Sequence, residues 1–137
     1  MYKLYLGMAF FISASAFAEP YEDFGEAAGM YIGSCYGLEH LKFKYCPQQS
    51  QVNPAKCVDN VTSLVPSADR NEASKIFNKT LASAKKNASD SIDVGFNKVL
   101  AITKGDSEKA CLGYGSSLNT VSYMKFEELK VISKRLK

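Results

Sequence analysis

Phe24-Gly25-Glu26-Ala27-Ala28-Gly29-Met30-Tyr31-Ile32-Gly33-Ser34-Cys35-Tyr36-Gly37-Leu38 is the stretch on which the fold turns. Phe24, Ala27, Tyr31, Cys35 and Leu38 recur every three or four residues, the spacing of one face of an α-helix. The pattern covers residues 23–45, and Pro47 stops it because proline brings no amide proton to the helix ladder. Inside this helix Gly25, Gly29, Gly33 and Gly37 repeat every four residues. Each costs about 1 kcal/mol relative to alanine in a helix interior, so an offsetting gain is required. Glycines four apart make a shallow channel that lets another backbone or a flat ring come close. The stripe is therefore read as a close-packing surface within the fold, with self-association of two copies as the second reading. Only twelve residues separate Glu26 from Glu39, well short of the ~20 apolar residues that a bilayer span needs.

Upstream of this helix the chain reads as a leader. Lys3 supplies a positive start, residues 4–17 are free of charge, and Ala16-Phe17-Ala18 has the small-x-small pattern of a signal-peptidase site. Residues 1–18 are expected to be a cleavable signal peptide, leaving residues 19–137 as one domain in the periplasm or outside the cell. Without Lys3 the remainder keeps 16 basic residues against 14 acidic ones, which is not the electrostatic footprint of a nucleic-acid binder. The acids Glu19, Glu22, Asp23 and Glu26 open the domain, and Lys125, Lys130, Lys134, Arg135 and Lys137 close it. Carboxylates near a helix start and cations near a helix end complement the helix dipole, which accounts for this asymmetry.

Downstream, further helical segments follow. Asn53-Pro54 is a cap followed by proline in the first turn, and Val58, Val61, Leu64 and Val65 continue to Pro66. Asp69 with Glu72 forms a capping-box pattern ahead of Ile76, Phe77, Leu81 and Ala84, a face that weakens at Lys85-Lys86-Asn87. Ser89 or Asp90 opens a segment carrying Ile92, Phe96, Val99 and Leu100 to Gly105, a left-handed cap. Residues 70–87 and 90–104 are read either as two helices or as one kinked helix. Ala110, Cys111, Tyr114, Leu118 and Val121 form another face, with residues 120–124 open to an extended reading, and Phe126, Leu129, Ile132 and Leu136 form the last. The expectation is an all-α fold, a compact bundle of five to six helices stapled by two disulfides.

Four cysteines in an exported chain imply two disulfides. Cys46 ends the first helix and Cys57 opens the second, so a tight helical hairpin would pair Cys46 with Cys57 and leave Cys35 to Cys111.

No catalytic constellation is evident. The single histidine, His40, leaves little scope for nucleophilic catalysis and reads as a surface or rim residue. A zinc set of Cys35, His40, Cys46 and Cys57 can be drawn, but it lacks Cys-x-x-Cys spacing and competes with the disulfides. The carboxylates Glu22, Asp23, Glu26 and Glu39 are accounted for mostly by helix starts. No metal, cofactor or catalytic residue is assigned.

Tyr21, Tyr36 and Tyr45 lie on the first helix, and tyrosines are favoured where proteins meet. The leading expectation is an exported protein-binding domain: an inhibitor or immunity-type protein occluding a partner enzyme, or an accessory subunit of an envelope complex. A carrier of small apolar ligands, lined by Phe77, Phe96 and Phe126, is the second expectation, and an enzyme with a concealed carboxylate site the third.

Overall fold

The computed structural model describes residues 20–136, and the leader reading lies outside them. Four α-helices are present among the described residues: α1 (Pro20–Lys44), α2 (Pro54–Leu64), α3 (Arg70–Ile102) and α4 (Ser107–Ser133). Short 3-10 turns at Ser67–Asp69 and Lys134–Leu136 complete them. The chain is all-α as expected, but the count of five to six helices is corrected to four.

One break that the sequence leaves open and one that it predicts are absent. Leu81, Ala84, Ala88, Ile92 and Phe96 continue one face straight across Lys85-Lys86-Asn87, and Lys86 pairs with Asp90 one turn on at 2.8 Å. Asparagine costs a helix only a few tenths of a kcal/mol, too little to break such a face. Likewise Leu118, Val121, Lys125, Leu129 and Ile132 keep helical spacing through residues 120–124, so the last two expected segments are one helix.

The ends behave more locally. Asn53 Oδ1 accepts from the Ala55 amide and Pro54 takes the first position of α2. Asp106 Oδ1 accepts from the Lys109 amide to start α4. Gly105 has φ of 83°, as a left-handed cap requires, and Lys104 before it also has positive φ. The capping box at Asp69 is not made: no side-chain bond caps α3 there, because Asp69 Oδ2 accepts the Tyr21 hydroxyl at 2.8 Å.

Helix α1 is the central element and packs against the other three. Tyr21 joins Asp69 and His40 joins Asp93, so α3 runs parallel to α1. Cys46 bonds Cys111 while Arg135 faces Asp23, so α4 runs antiparallel. Cys35 bonds Cys57, and Asn60 donates to the Tyr31 hydroxyl, so α2 is antiparallel too.

The core falls into two clusters at the two ends of α1. The first gathers Phe24, Ala28, Ile32, Val61, Phe77 and Leu129 among others. The second gathers Leu41, Ile92, Phe96 and Ala110 around Cys46. Burying side chains of this size contributes about 1.5–3 kcal/mol each, which offsets the glycine cost of α1.

The disulfides are Cys35–Cys57 and Cys46–Cys111, correcting the expected Cys46–Cys57 and Cys35–Cys111 pairs. The hairpin is not tight. After Cys46 the chain runs back beside α1, pinned where Lys42 Nζ donates to the Pro47 and Gln49 carbonyls, each at 2.8 Å. Gln49 Nε2 in turn donates to the Cys111 carbonyl at 3.1 Å. Eleven residues of helix are about 16 Å, and the returning segment covers that distance, so Cys57 arrives opposite Cys35. Cys46 is left facing the start of α4.

Candidate functional site: a glycine-floored groove

The four glycines of the stripe all line one groove, of about 1060 Å³, between α1, α3 and α4. Its floor is the glycine face of α1. One wall comes from α3, where Leu81, Ala84, Ala88 and Ile92 look inward, and the other from Tyr114, Leu118 and Val121 of α4. The two walls meet at one end, where Tyr114 packs against Gly95 and its ring centroid lies 6.4 Å from that of Phe96. From Gly25 to Gly37 the floor is about 18 Å long at 1.5 Å per residue.

The expectation of close packing along the whole stripe needs refinement. Gly25 and Gly37 are buried, whereas Gly29 and Gly33 are only partly covered. A Cβ at Gly37 would sit 3.2 Å from Ile92 Cδ1, but one at Gly33 would meet nothing within 4 Å. At Gly33, therefore, no neighbouring helix within the described residues uses the missing side chain.

Few charges border the groove: Glu26, Lys79 and Asp90, the last already paired with Lys86. Two of the hydroxyl protons within it are engaged locally. Ser34 donates to the Tyr31 carbonyl at 2.7 Å and Thr80 to the Phe77 carbonyl at 3.0 Å. Glu26 and Met30 also border a smaller notch of about 400 Å³, where Asp23, Lys125, Glu128 and Arg135 gather. Its charges are exposed and largely paired, Lys125 with Glu128 at 3.0 Å and Arg135 with Asp23 at 3.5 Å.

The three tyrosines proposed for partner contact do not form one surface. Tyr21 is buried at 3 % exposure, and its site is that of a core residue. Burial, together with the bond to Asp69, pushes its hydroxyl pKa far up. Tyr36 is half-buried against the first cluster. Tyr45 stacks on Phe96 with centroids 4.4 Å apart and donates to Asp93 at 2.8 Å. Of the rings proposed to line a carrier cavity, Phe77 borders the groove, whereas Phe96 and Phe126 pack into the two core clusters.

His40 is partly buried and anchored, its Nε2 lying 2.9 Å from Asp93 Oδ1. Because an ionised carboxylate only accepts, the proton of that bond belongs to Nε2. Tyr45 and Lys44 donate to the same oxygen. These bonds, His40 first, hold the Asp93 carboxyl at about 2, below its ordinary 3.8. Sequence reasoning missed this hub. His40 and Lys44 stand one helical turn apart and Tyr45 follows them in the chain, but nothing in the sequence points to Asp93, 53 residues away from His40, as their partner.

The zinc set is dissolved by the pairing, since all three of its cysteines are held in disulfides. No group of three or more metal-ligating side chains stands together among the described residues. Nor is any described helix long and apolar enough to cross a membrane. Comparison with family models, with curated proteins and with solved structures gives no match in any of the three. The groove thus has to be interpreted from its own geometry.

Proposed function

We propose that the chain is an exported protein-binding domain that receives a helical segment of a partner in the groove over Gly25, Gly29, Gly33 and Gly37. It would act as an inhibitor or immunity-type protein, or as an accessory subunit of an envelope complex. The observation that carries this reading is the open glycine floor at Gly33, where a Cβ would meet nothing within 4 Å. A floor about 18 Å long matches a helix of about twelve residues. Small residues on the floor let two helix backbones approach, and laying an apolar helix face into a groove is a recurring recognition mode. Enclosed small-molecule sites run from about 300 to 1000 Å³; this groove is slightly larger and open along one side.

Gly33→Leu separates the groove from the fold, because a Cβ at this position meets nothing within 4 Å. Oxidised wild type and Gly33→Leu are used in parallel to capture proteins from an envelope extract of the host, and the bound material is examined for protein and for lipid. A stoichiometric protein held by the wild type and lost by Gly33→Leu is the expected result. The same protein held equally by both would overturn the groove as the site. A lipid held by the wild type alone would favour the carrier reading, for which the apolar walls are the supporting observation.

A further inference from the structure

Helix α4 is held at its two ends. Its start is pinned by the Cys46–Cys111 bond, by Ala110 in the second core cluster and by Gln49, whose side chain packs on Gly115. Its end is pinned by Leu129 and Ile132 in the first cluster. Between Gly115 and Leu129 no residue of α4 is buried, and Tyr123 and Met124 stand 67 and 59 % exposed. Within residues 116–124 the core contact is that of Leu118, half-buried against the second cluster. Helix α3 has a similar gap, with nothing buried between Phe77 and Ile92, so burial alone does not distinguish the two walls of the groove.

Local chemistry does distinguish them. Residues 113–123 read Gly-Tyr-Gly-Ser-Ser-Leu-Asn-Thr-Val-Ser-Tyr, in which Leu118 is the single strong helix former. A Cβ at Gly113 would meet nothing within 4 Å, so packing does not require that glycine. Residues 79–88 of α3, by contrast, hold three alanines, three lysines and a leucine, all strong helix formers, and Lys86 pairs with Asp90 one turn on. Side chains also compete for the α4 ladder. Asn119 Nδ2 donates to the Gly115 carbonyl and Thr120 Oγ1 to the Ser116 carbonyl, each at 3.0 Å, and back-bonding of this kind loosens and bends helices. A stretch with poor intrinsic helicity and no buried side chain opens at far lower cost than the whole fold. We infer that the middle of α4, residues 116–124, is the movable wall of the groove: it opens locally while the α1 floor and the α3 wall stay in place. Leu118 and Val121 line the groove, so their release widens its mouth without exposing a buried core residue. The opening belongs to the free protein, whatever the groove receives.

Native-state hydrogen exchange on the oxidised protein, read residue by residue by NMR, tests this. The amides of residues 118–124 should exchange at least about a hundredfold faster than those of residues 27–38 in α1, and at least about tenfold faster than those of residues 80–92 in α3. Residues 129–132, at the anchored end of the same helix, should exchange more slowly than residues 118–124, a pattern that fraying from the helix end would not produce. Urea below the unfolding transition should hasten exchange in α1 and leave residues 118–124 nearly unchanged, because a local opening exposes little surface. The variant Ser117→Ala/Asn119→Ala/Thr120→Ala, at three exposed positions, should slow exchange of the segment by about tenfold. Exchange in residues 118–124 as slow as in α1, or matched by α3, would overturn the inference, and so would a rate that the triple variant leaves unchanged.

Discussion

His40 Nε2 donates to Asp93 Oδ1 across 2.9 Å, and the same oxygen receives the Tyr45 hydroxyl at 2.8 Å and the Lys44 ammonium at 3.2 Å. Three donors from the end of α1 thus converge on one carboxylate of α3, the residue after Ile92, whose side chain lies against Gly37. At the far end of the same pair of helices, Tyr21 reaches Asp69. The distance between floor and wall is therefore fixed by a polar clamp at each end. Between the clamps, glycines on one helix and alanines and serines on the other leave the space that a side chain would otherwise fill.

Asp93→Asn should weaken the clamp in a pH-dependent way. A carboxyl held at about 2 instead of 3.8 adds stability that is fully present above its ordinary value and is lost as the pH falls through the folded one. The melting temperature of Asp93→Asn should lie below that of the wild type at pH 7, and the gap should close between about pH 4 and pH 2. Melts followed by circular dichroism at pH 7, 4, 3 and 2 measure it. A gap unchanged at pH 2 would show that the ionised carboxylate is not what holds the helices.

The disulfide pairing has a direct chemical test. Trypsin cuts after Lys42, Lys44, Lys56, Arg70, Lys109 and Lys125, which places each cysteine on its own fragment. Without reduction, residues 57–70 should stay linked to the fragment ending at Lys42, and residues 45–56 to residues 110–125. Recovery of residues 45–56 joined to residues 57–70 would restore the hairpin pairing.

Stability measurements alone would not settle the pairing, because the longer closure involves Cys111 under either scheme. With a separation of 65 against 22 residues, the chain-entropy relation gives about 4.3 kcal/mol for Cys46–Cys111 and about 3.4 for Cys35–Cys57. The Cys46→Ser/Cys111→Ser double variant should therefore unfold more easily than Cys35→Ser/Cys57→Ser, by about 1 kcal/mol in urea titrations. Equal losses would mean that native-state strain or residual structure outweighs loop length.

What the sequence made legible was whatever is decided locally. Asn53-Pro54, Asp106 and Gly105 act within one turn, and each sits in the structure where its chemistry places it. The helical faces of residues 70–104 were legible as well, though Lys85-Lys86-Asn87 left their continuity open. Non-local choices were not readable. Asp69 has the right neighbours for a capping box, yet a tyrosine 48 residues away takes its carboxylate. The cysteine pairing depended on the path of residues 45–53, whose anchors are Lys42 and the α4 carbonyl at Cys111. The glycine stripe is visible in the sequence, but its openness at Gly33 depends on how far α3 and α4 stand apart.

Alanine substitutions along the stripe should rank by what each new methyl meets. Gly33→Ala gains helix propensity with no contact to oppose it and should stabilise by about 0.5–1 kcal/mol. Gly37→Ala presses on Ile92, itself buried at 3 % exposure, and should gain less or lose. Gly95→Ala forces a methyl onto the Tyr114 ring, whose Cζ lies 2.8 Å from the new atom, and should cost about 1–3 kcal/mol. Urea titrations rank the three, and a loss at Gly33 would mean that the groove is closed in solution.

Tyr21→Phe tests the other clamp, and its cost should be smaller than the bond alone suggests. A hydrogen bond to a charged group contributes about 1.5–3 kcal/mol. Removing the hydroxyl also frees Asp69, which stands at the start of α3 without a side-chain cap. A released carboxylate can turn to the exposed amides of that first turn, and a cap of this kind returns about 0.5–2 kcal/mol. The net loss should be about 1 kcal/mol in Tyr21→Phe. The double variant Tyr21→Phe/Asp69→Ala should lose more, because no residue then takes up the cap. If the two variants unfold alike, Asp69 does not turn, and the tyrosine bond is the whole of its contribution.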